Sequence, residues 1–226
     1  MSANLINEPF DGSLLGEPIA QGAEAIIYVD ESKEYVFKYR FEKKFRHFDL
    51  DLKLRKFRTK REAKVMDKLR STGVLGPKLE RVDEKNMVIQ MSFVKGSKLR
   101  DVFETNFEKF SIEIGKNIAL MHKNGIMHGD LTTSNMILGD SENKIYFIDF
   151  GLSFFSDKIE DRAVDLHLIK QALESKHYKI FEKAYEFLLE SYSEHYDIGC
   201  EVIKRLDQVE LRGRYKMKKN KKEKSN

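Results

Sequence analysis

Residues 128–137 read HGDLTTSNMI, and this stretch decides how the rest of the chain is interpreted. His128-Gly129-Asp130 alone is ordinary turn chemistry, because glycine permits a bend and the aspartate bonds its own backbone. Asn135, however, follows Asp130 by five positions, and both polar residues stand among apolar neighbours. Because burying a carboxylate in such surroundings is costly unless something pairs with it, the pattern indicates a function.

A second carboxylate stands in a similar context fourteen residues after Asn135. Asp149 lies within the apolar stretch IYFIDFG of residues 145–151. Asp130, Asn135 and Asp149 all offer oxygen atoms, which suit a hard cation such as Mg²⁺ that takes few protein ligands and completes its shell with water and phosphate. The order and spacing of the three residues therefore predict a magnesium and phosphate site.

Length and composition predict a soluble globular protein. The chain has 226 residues, of which 41% are hydrophobic and 16 are Phe, enough for a core in one large or two small domains. Cys200 is the single cysteine and is expected to be a small buried apolar residue, which points to a reducing compartment. With no leader peptide and no apolar run that could span a bilayer, we expect an intracellular, cytoplasmic protein without membrane contact.

The net charge of +4 is distributed unevenly. Residues 38–70 hold 14 Lys and Arg against 5 Asp and Glu, a balance of +9, and residues 212–226 hold 8 against 1, a balance of +7. The remaining residues therefore carry 4 − 9 − 7 = −12. Such blocks suggest a polyanion partner, although solvated faces remain an alternative. The tail 212–226 has little to bury and is predicted to be disordered, and it also fits a nuclear-localisation signal.

Hydrophobic periodicity divides the chain near residue 95. Residues 1–94 read mostly as strands, with one hairpin turn at 30–33 and a helix after Thr59. Residues 95–211 read mostly as helices, including one apolar stripe at positions 107, 110, 114, 118 and 121 that ends near Asn124-Gly125. The periodicity predicts a mainly β lobe followed by a mainly helical lobe.

The motifs resemble those of the protein-kinase superfamily. HGDLTTSN followed by Asp149-Phe150-Gly151 is similar to the catalytic loop H-R-D-x-x-x-x-N and the metal loop D-F-G. Lys38 in EYVFKYR matches the lysine that holds nucleotide phosphates, and Glu62 in RTKREAKVM matches its ion-pair partner. The resemblance implies an α+β, minimal bilobal kinase-like fold, with a small mainly β N-terminal lobe carrying one key helix and a reduced helical C-terminal lobe.

The resemblance also implies cofactors and residue roles. ATP and Mg²⁺ are the implied cofactors, and Lys38, braced by Glu62, holds the α- and β-phosphates. Asn135 and Asp149 hold Mg²⁺, whereas Asp130 is the catalytic residue that orients or deprotonates the nucleophile.

Three further regions are expected to support the nucleotide. Gly22 and Ala23 in QGAEA stand for the glycine-rich loop, and backbone groups near Ser92 and Val94 are expected to face the adenine. Asp165 in AVDL matches the residue that braces the catalytic loop.

Several departures distinguish the chain from ordinary protein kinases. QGAEA keeps one glycine where the usual loop has three, Gly129 replaces the arginine of H-R-D, and Thr132 stands where many Ser/Thr kinases carry lysine. About ten residues separate Gly151 from the helical segment EDRAVDLHLIKQAL, and no A-P-E follows. The chain therefore has almost no platform on which to seat a peptide substrate.

One family fits both the matches and the departures. FKYRFEKKFRHFDLDLKLRKFRTKREAKVM, together with QGAEA, HGDLTTSNMI, IDFGLS, EDRAVDL and LRGR, is similar to the small atypical kinase of the KEOPS (EKC) complex, the PRPK family. The resemblance implies partnership with a tRNA threonylcarbamoyl transferase subunit and other KEOPS subunits, and a role in making threonylcarbamoyladenosine (t6A) in tRNA. It implies an ATPase that supports its partner, with autophosphorylation and weak protein phosphorylation.

The same resemblance gives the basic segments a partner. Residues 38–70 and the tail are expected to contact tRNA phosphates, and Arg212 and Arg214 are expected to approach the nucleotide.

Two other function classes remain open. An independent phosphotransferase for proteins or small molecules is one, since HGD also occurs in antibiotic and choline kinases; the short segment after Gly151 and the lack of a large helical insert count against it. A non-catalytic adaptor that binds RNA or a partner is the other. The five intact residues count against an adaptor, namely Lys38, Glu62, Asp130, Asn135 and Asp149.

Overall fold

The N-terminal lobe is an antiparallel sheet covered by one long helix. The computed structural model describes residues 18–223, with side chains for residues 18–212. Residues 1–17 of the predicted N-terminal lobe therefore lie outside the described range. The elements of this lobe are β1 (Ala20–Gln21), β2 (Ile26–Val29), β3 (Tyr35–Tyr39), α1 (Phe48–Leu69), β4 (Leu79–Asp83) and β5 (Val88–Ser92). Their order in the sheet is β1-β2-β3-β5-β4, which makes β3 the central strand within the described residues.

The β2–β3 hairpin follows directly from turn chemistry. The two strands pair antiparallel, and the carboxylate of Asp30 accepts hydrogen bonds from the backbone N–H groups of Glu34 at 2.9 Å and Tyr35 at 2.7 Å. An aspartate at the start of a turn commonly bonds the backbone in this way. The predicted turn is confirmed.

Helix α1 begins earlier than the sequence predicts. The helical pattern is visible only after Thr59, whereas the helix starts at Phe48. Exposed apolar side chains such as Phe48 and Phe57 obscure the amphipathic period in its first half. The buried Asp51 stabilises this half by accepting a hydrogen bond from Arg55 Nε at 2.6 Å, one turn further on.

The C-terminal lobe is mainly helical. Its elements are β6 (Gly96–Lys98), α2 (Leu99–Val102), α3 (Phe107–Lys123), β7 (Ile126–Met127), β8 (Met136–Gly139), β9 (Ile145–Phe147), β10 (Phe154–Phe155), α4 (Ile159–Lys176), α5 (Phe181–Glu194) and α6 (Gly199–Glu223). Strands pair in the order β6-β8-β9, and β7 pairs with β10. The predicted α+β bilobal fold is confirmed, while the exact lobe boundary at 94/95, between β5 and β6, stays a prediction. Among residues 18–223, no helix combines the length and the apolar character needed to cross a membrane.

Helix α3 forms the centre of the C-terminal core. Its predicted apolar stripe is confirmed, since Phe110, Ile114, Ile118 and Met121 are all buried. The helix ends at Lys123, and the chain then turns through Gly125, whose φ is +70°. Glycine adopts this left-handed conformation without a steric penalty, which is why the helix stops where the sequence predicts.

Helices α3 and α5 approach each other at a glycine. A Cβ atom at Gly115 would lie 2.2 Å from the carbonyl oxygen of Leu188. Beside it, Ser191 Oγ donates a hydrogen bond to the carbonyl oxygen of Ile112 at 2.8 Å. The two backbones are therefore packed more closely than any side chain at position 115 would permit.

Two expectations about the C-terminal end differ from the structure. Cys200, predicted to be buried, is exposed at the start of α6, because the helix directs Val202 into the core instead. The backbone is helical as far as Glu223, where the sequence predicts disorder for 212–226. Lysine and arginine are good helix formers, and a helix that is already nucleated extends at little cost. The final three residues lie outside the described range.

We expect Gly115→Ala to lower the free energy of unfolding by about 1–3 kcal/mol, because the added methyl group forces α3 and α5 apart. Urea denaturation followed by circular dichroism measures the change. Lys116→Ala, an exposed substitution on the same helix, is the control and should stay within about 0.5 kcal/mol of the parent chain. Equal unfolding free energies for Gly115→Ala and the parent would contradict the tight packing.

Candidate active site

A cavity of about 390 Å³ lies between the two lobes. Much of its wall is apolar, with Val36 from the sheet and Ile137 and Ile148 from the C-terminal lobe. The wall also includes six of the predicted site residues, namely Lys38, Glu62, Ser92, Val94, Asn135 and Asp149. An apolar cavity with a few converging polar groups is typical of a small-molecule site. The structure thus brings these six residues together, and their individual roles stay predictions.

Lys38 connects the two lobes of the site. It lies on β3 with only 7% of its surface exposed, and its Nζ donates to Glu62 Oε1 at 2.8 Å and to Asp149 Oδ1 at 2.6 Å. Burial alone would lower the pKa of Lys38, but the two carboxylates outweigh burial and raise that pKa above its ordinary value of 10.5. The ammonium group is therefore held charged at neutral pH.

Glu62 contacts a second cation that the sequence analysis did not identify. Arg40 Nη2 pairs with Glu62 Oε2, and both side chains are buried. Burial would raise the pKa of Glu62, but the positive charges of Lys38 and Arg40 outweigh it and lower that pKa below 4.5. Arg40 stands two positions after Lys38, so strand alternation could have indicated that both side chains lie on one face of the sheet.

Asp149 is held in a strained backbone conformation. Its φ of +61° lies in the left-handed region, which non-glycine residues adopt mainly where surrounding structure enforces it, often at functional sites. Among the described residues, its carboxylate accepts hydrogen bonds from Lys38 Nζ and from the Gly151 N–H at 3.3 Å, both at Oδ1. Burial would raise the pKa of Asp149, but Lys38 outweighs it and lowers that pKa. The half-exposed side chain is therefore an anion whose Oδ2 remains for a ligand.

Asp130 and Asn135 form one unit within the catalytic loop. Asn135 Nδ2 donates to the carbonyl oxygen of Asp130 at 2.9 Å and to Asp130 Oδ2 at 2.8 Å. Thr132 Oγ1 accepts from the N–H of Asn135 at 3.2 Å and caps the short 3₁₀ helix Thr133–Asn135. Asp130 does not line the cavity itself and is linked to it through Asn135. Because both bonds of the Asn135 side chain use Nδ2, its amide oxygen remains for a cation.

These oxygen atoms fit a magnesium ion. Mg²⁺ is usually bound by one or two protein oxygen ligands together with substrate phosphates and water. Within the described residues there is no group of three or more His, Cys, Asp or Glu that could hold a metal by themselves. The Asp149 carboxylate and the Asn135 amide, both on the cavity wall, are the residues that would hold the ion.

Asp165 on α4 supports the catalytic loop from below, as the sequence predicts. Its buried carboxylate accepts hydrogen bonds from the backbone N–H groups of His128 at 2.7 Å and Gly129 at 2.8 Å. His122 Nε2 lies 3.3 Å from Asp165 Oδ2, and its Nδ1 lies 2.8 Å from the Tyr192 hydroxyl. Burial would raise the pKa of Asp165, but the hydrogen bond and charge of His122 help to lower it below 3.8. Helices α3, α4 and α5 are thus connected to the loop through one carboxylate.

Gly129 replaces the arginine of ordinary kinases for a steric reason. Its φ is +78°, and a Cβ atom there would lie 2.6 Å from the carbonyl oxygen of Leu152. The backbone that follows Asp149 therefore passes directly over position 129, and no larger residue fits there without a shift of that backbone.

The predicted glycine-rich loop does not reach the cavity wall. Gly22 donates its N–H to the carbonyl oxygen of Ala25 at 2.9 Å, which makes a tight turn, and the carbonyl oxygen of Ala23 accepts a hydrogen bond from Lys43. Neither Gly22 nor Ala23 lines the cavity, because this turn directs the loop toward the start of α1.

The adenine contacts expected from the interlobe segment are only partly available. The Ser92 N–H donates to the carbonyl oxygen of Lys78 at 2.9 Å, and Ser92 Oγ accepts from the N–H of Lys78 at 2.8 Å. The amide of Ser92 is therefore engaged in the sheet, and Val94 remains the predicted backbone partner of the base.

Arg212 does not approach the cavity between the lobes, where the sequence analysis expects the nucleotide. Its Nη1 donates to Glu160 Oε1 at 3.0 Å, on the first turn of α4, and it is not a wall residue. Arg205 contacts the same carboxylate, which fixes this part of α6 against α4. The side chain of Arg214 lies outside the described residues, so the expectation for it stays a prediction.

Comparison with known proteins gives one protein family. The family described as the RIO domain matches residues 25–190. The KEOPS complex subunit Bud32 of Pyrococcus abyssi is 46% identical over 212 residues, covering 88% of this chain and 96% of the relative. The EKC/KEOPS complex subunit bud32 of Dictyostelium discoideum is 37% identical, covering 89% of this chain and 84% of the relative.

A longer relative and a solved structure extend this result. A probable bifunctional tRNA threonylcarbamoyladenosine biosynthesis protein of Methanobrevibacter smithii is 40% identical over 87% of this chain, which corresponds to 36% of that longer protein. The solved structure of WaaP in complex with acyl carrier protein superimposes with a TM-score of 0.64 at 13% identity, covering 88% of each chain. At this identity the structural match supports the kinase-like fold alone.

The pH dependence of stability tests the bracing role of Asp165. Because its pKa is depressed in the folded state, its contribution is present above the unfolded pKa of about 3.9 and is lost as the pH falls through the folded pKa. We expect Asp165→Asn to cost about 1.5–3 kcal/mol of unfolding free energy at pH 7. The difference from the parent chain should shrink below pH 4, as urea titrations between pH 2.5 and 7 would measure.

Asp197→Asn is the matched control, since this carboxylate is largely exposed. It should follow the parent chain across the whole pH range. A difference between Asp165→Asn and the parent that stays constant with pH would contradict the assignment.

Proposed function

The chain belongs to the RIO-domain family and, within it, to the family of the KEOPS complex subunit Bud32, and from this we propose an atypical kinase that acts mainly as an ATPase. The RIO-domain family is kinase-like, so the coarse assignment is an ATP-utilising enzyme of the kinase type. The observation that carries the proposal is the convergence of Glu62 Oε1 and Asp149 Oδ1 on Lys38 Nζ, at 2.8 and 2.6 Å, in the wall of one cavity.

The geometry supports phosphate binding by Lys38. Glu62 fixes the position of the ammonium group, and the raised pKa of Lys38 keeps it charged. A preorganised cation of this kind holds the α- and β-phosphates of ATP without further rearrangement. Asn135 and Asp149 would hold Mg²⁺, and the ion would supply positive charge to neutralise the phosphate oxygens.

Asp130 is the proposed catalytic residue. Asn135 fixes one of its carboxylate oxygens by a hydrogen bond of 2.8 Å, so the carboxylate has a defined orientation relative to the cavity. Asp130 then orients a water molecule, or a hydroxyl group of the protein itself, for attack on the terminal phosphate.

The segment after the metal loop favours ATP hydrolysis over transfer to a docked peptide. Only residues 152–158 separate Gly151 from the start of α4 at Ile159. The first part of this segment is occupied with packing over Gly129. Little chain remains to bind an extended substrate, which supports water as the main acceptor and autophosphorylation as a side reaction.

The relatives support a place in tRNA modification. Two carry the KEOPS subunit in their names, and a third is named for threonylcarbamoyladenosine biosynthesis. We propose that the chain binds a tRNA threonylcarbamoyl transferase subunit and other KEOPS subunits, and that residues 38–70 and the C-terminal tail contact tRNA. We also propose a cytoplasmic location, with the nucleus as a second location if the Lys-rich tail acts as a localisation signal.

Asp149→Asn tests the proposed ATPase. The variant keeps the shape of the side chain but removes the charge that would hold Mg²⁺, so we expect ATP hydrolysis to fall about a hundred- to a thousandfold. Phosphate release with MgATP, measured with and without transferase partner and tRNA, gives the rate. Asp140→Asn, at an exposed carboxylate, is the control and should hydrolyse ATP at the parent rate. Unchanged hydrolysis in Asp149→Asn would show that the metal assignment is wrong.

Truncation after Leu211 tests the proposed tRNA contact of the tail. Removing residues 212–226 removes a net charge of +7, so we expect weaker tRNA binding and a flatter dependence of log Kd on log salt concentration. Filter binding at several salt concentrations measures both quantities.

A full-length variant with Gln at five lysines separates charge from length; these are Lys216, Lys218, Lys219, Lys221 and Lys222. It should resemble the truncated chain. If both chains keep the parent salt dependence, the tail does not contact tRNA.

A further inference from the structure

A cluster of cationic side chains lies where the end of β3, the first half of α1 and the β1–β2 loop meet. We call it the arginine cluster, and it surrounds a cavity of about 10 Å³, room for a single water-sized group. Glu24 and Phe41 complete the wall of this cavity, which shares no wall residue with the ATP cavity. The members of the arginine cluster are Arg40, Lys43, Arg46, Arg55 and Arg58.

The carboxylates around the arginine cluster do not balance its charge. Glu24 contacts Arg46 and Arg58, and Asp51 accepts from Arg55 at 2.6 Å. The third carboxylate in contact, Glu62, is shared with Lys38 of the ATP site. Among the described residues, five cations thus face two carboxylates of their own and one that is shared.

The crowding of positive charge also affects a neighbouring residue. Burial lowers the pKa of the Arg61 guanidinium, and the charges of Arg58 and Arg40 lower that pKa further. The region therefore holds more positive charge than its own anions compensate.

Arg40 gives independent support for a ligand. Only 3% of this residue is exposed, and its Nη2 pairs with Glu62. Its Nε and Nη1 atoms are buried and have no hydrogen-bond partner among the described residues. A buried donor without an acceptor costs about 1–3 kcal/mol, more when it is charged, so such groups are rare in native proteins unless something binds them.

Glu24 fills the place that an anion would take. It lies in the QGAEA loop between β1 and β2, and its side chain is 37% exposed, so solvent reaches the carboxylate. Two arginines hold that carboxylate, while Lys43 binds the carbonyl oxygen of the adjacent Ala23. A carboxylate on a loop, held by arginines that belong to other elements, can be displaced when a stronger anion arrives.

We propose that the arginine cluster is a phosphate-binding site, which Glu24 occupies until a phosphate group displaces it. A phosphate group has more acceptor oxygens than a carboxylate, and the planar guanidinium binds it through two parallel N–H bonds. A phosphate group in this cavity, whose wall includes Arg40, offers an acceptor to a buried donor of Arg40 that has no partner among the described residues. The phosphate comes either from an RNA backbone or from free orthophosphate, and the chemistry of recognition is the same for both.

The site does not depend on the proposed ATPase. Its five cations lie within residues 38–70, so binding of an RNA phosphate there rests on the proposed tRNA contact of that segment, whereas binding of orthophosphate does not. Arg40 nevertheless connects this site with the ATP site, because its Nη2 pairs with Glu62 and the same residue is part of the wall of the arginine cluster's cavity. Binding of a phosphate group therefore takes place one side chain away from the ion pair that positions Lys38.

Titration of the full chain with sodium phosphate, without nucleotide, tests the proposal. Isothermal calorimetry and the melting temperature are measured against sodium chloride at equal ionic strength. We expect phosphate to bind and to stabilise the parent chain beyond the effect of chloride. Glu24→Gln removes the competing carboxylate and should bind phosphate about tenfold more tightly, whereas Arg58→Gln should bind about tenfold more weakly.

Lys56→Gln is the matched control, since it removes an exposed cation from the same helix outside the arginine cluster. Its phosphate affinity should stay within about twofold of the parent. The tighter phosphate binding expected for Glu24→Gln cannot result from a folding defect, because a misfolded variant does not bind more tightly.

A tRNA transcript titrated into the same four chains identifies the source of the phosphate. If the ligand is an RNA phosphate, tRNA affinity follows the order Glu24→Gln, parent, Arg58→Gln. If it is free orthophosphate, Arg58→Gln and Lys56→Gln bind tRNA equally while their orthophosphate affinities differ. The proposal is overturned if phosphate and chloride act alike on the parent and on Glu24→Gln, and tRNA does not distinguish Arg58→Gln from Lys56→Gln.

Discussion

The buried ammonium group of Lys38 is the constraint on which the site depends. A charge taken out of water is tolerated only where opposite charges and hydrogen bonds replace its hydration, and Glu62 and Asp149 supply both. The three groups come from β3, α1 and the loop after β9, so the ion pairs also fix how these elements stand relative to one another. Loss of either carboxylate would leave an uncompensated charge in the cavity wall. The position of α1 and the strained backbone of Asp149 are therefore both needed to complete the ion pairs of Lys38.

In the C-terminal lobe a buried charge is also compensated by its partners, which here include backbone N–H groups. Asp165 is a buried anion whose partners are two N–H groups of the catalytic loop and the ring of His122. Since His122 also contacts Tyr192 on α5, the helical core holds the loop that carries Asp130 and Asn135. The packing of α3 on α5 through Gly115 thus contributes to the geometry of the site, although it lies outside the cavity.

The sequence predicted the residues whose spacing is set by chemistry. Asp130, Asn135 and Asp149 follow one another at intervals that their joint task requires, and the structure places Asn135 and Asp149 on one cavity wall with Asp130 bonded to Asn135. Lys38 and Glu62 were predicted from the resemblance to the protein-kinase superfamily instead. These residues lie on a strand and a helix whose patterns are regular in the immediate neighbourhood.

What the sequence did not predict depends on tertiary contacts. The first half of α1 has no clear apolar stripe, because its aromatic side chains are exposed and its stability relies on pairs such as Asp51 with Arg55. Cys200 is exposed because of the rotation of α6 on the core, and composition alone does not fix that rotation. Arg40 was missed because an arginine at a strand end is ordinary until Glu62 is found opposite it.

Gly129 links two segments that lie far apart in sequence. A side chain at this position would collide with the carbonyl oxygen of Leu152, so a larger residue requires that backbone to shift. The residue at position 129 and the path of the segment after Asp149 are therefore coupled. A chain with the arginine of ordinary protein kinases at this position needs a different backbone at Leu152 as well.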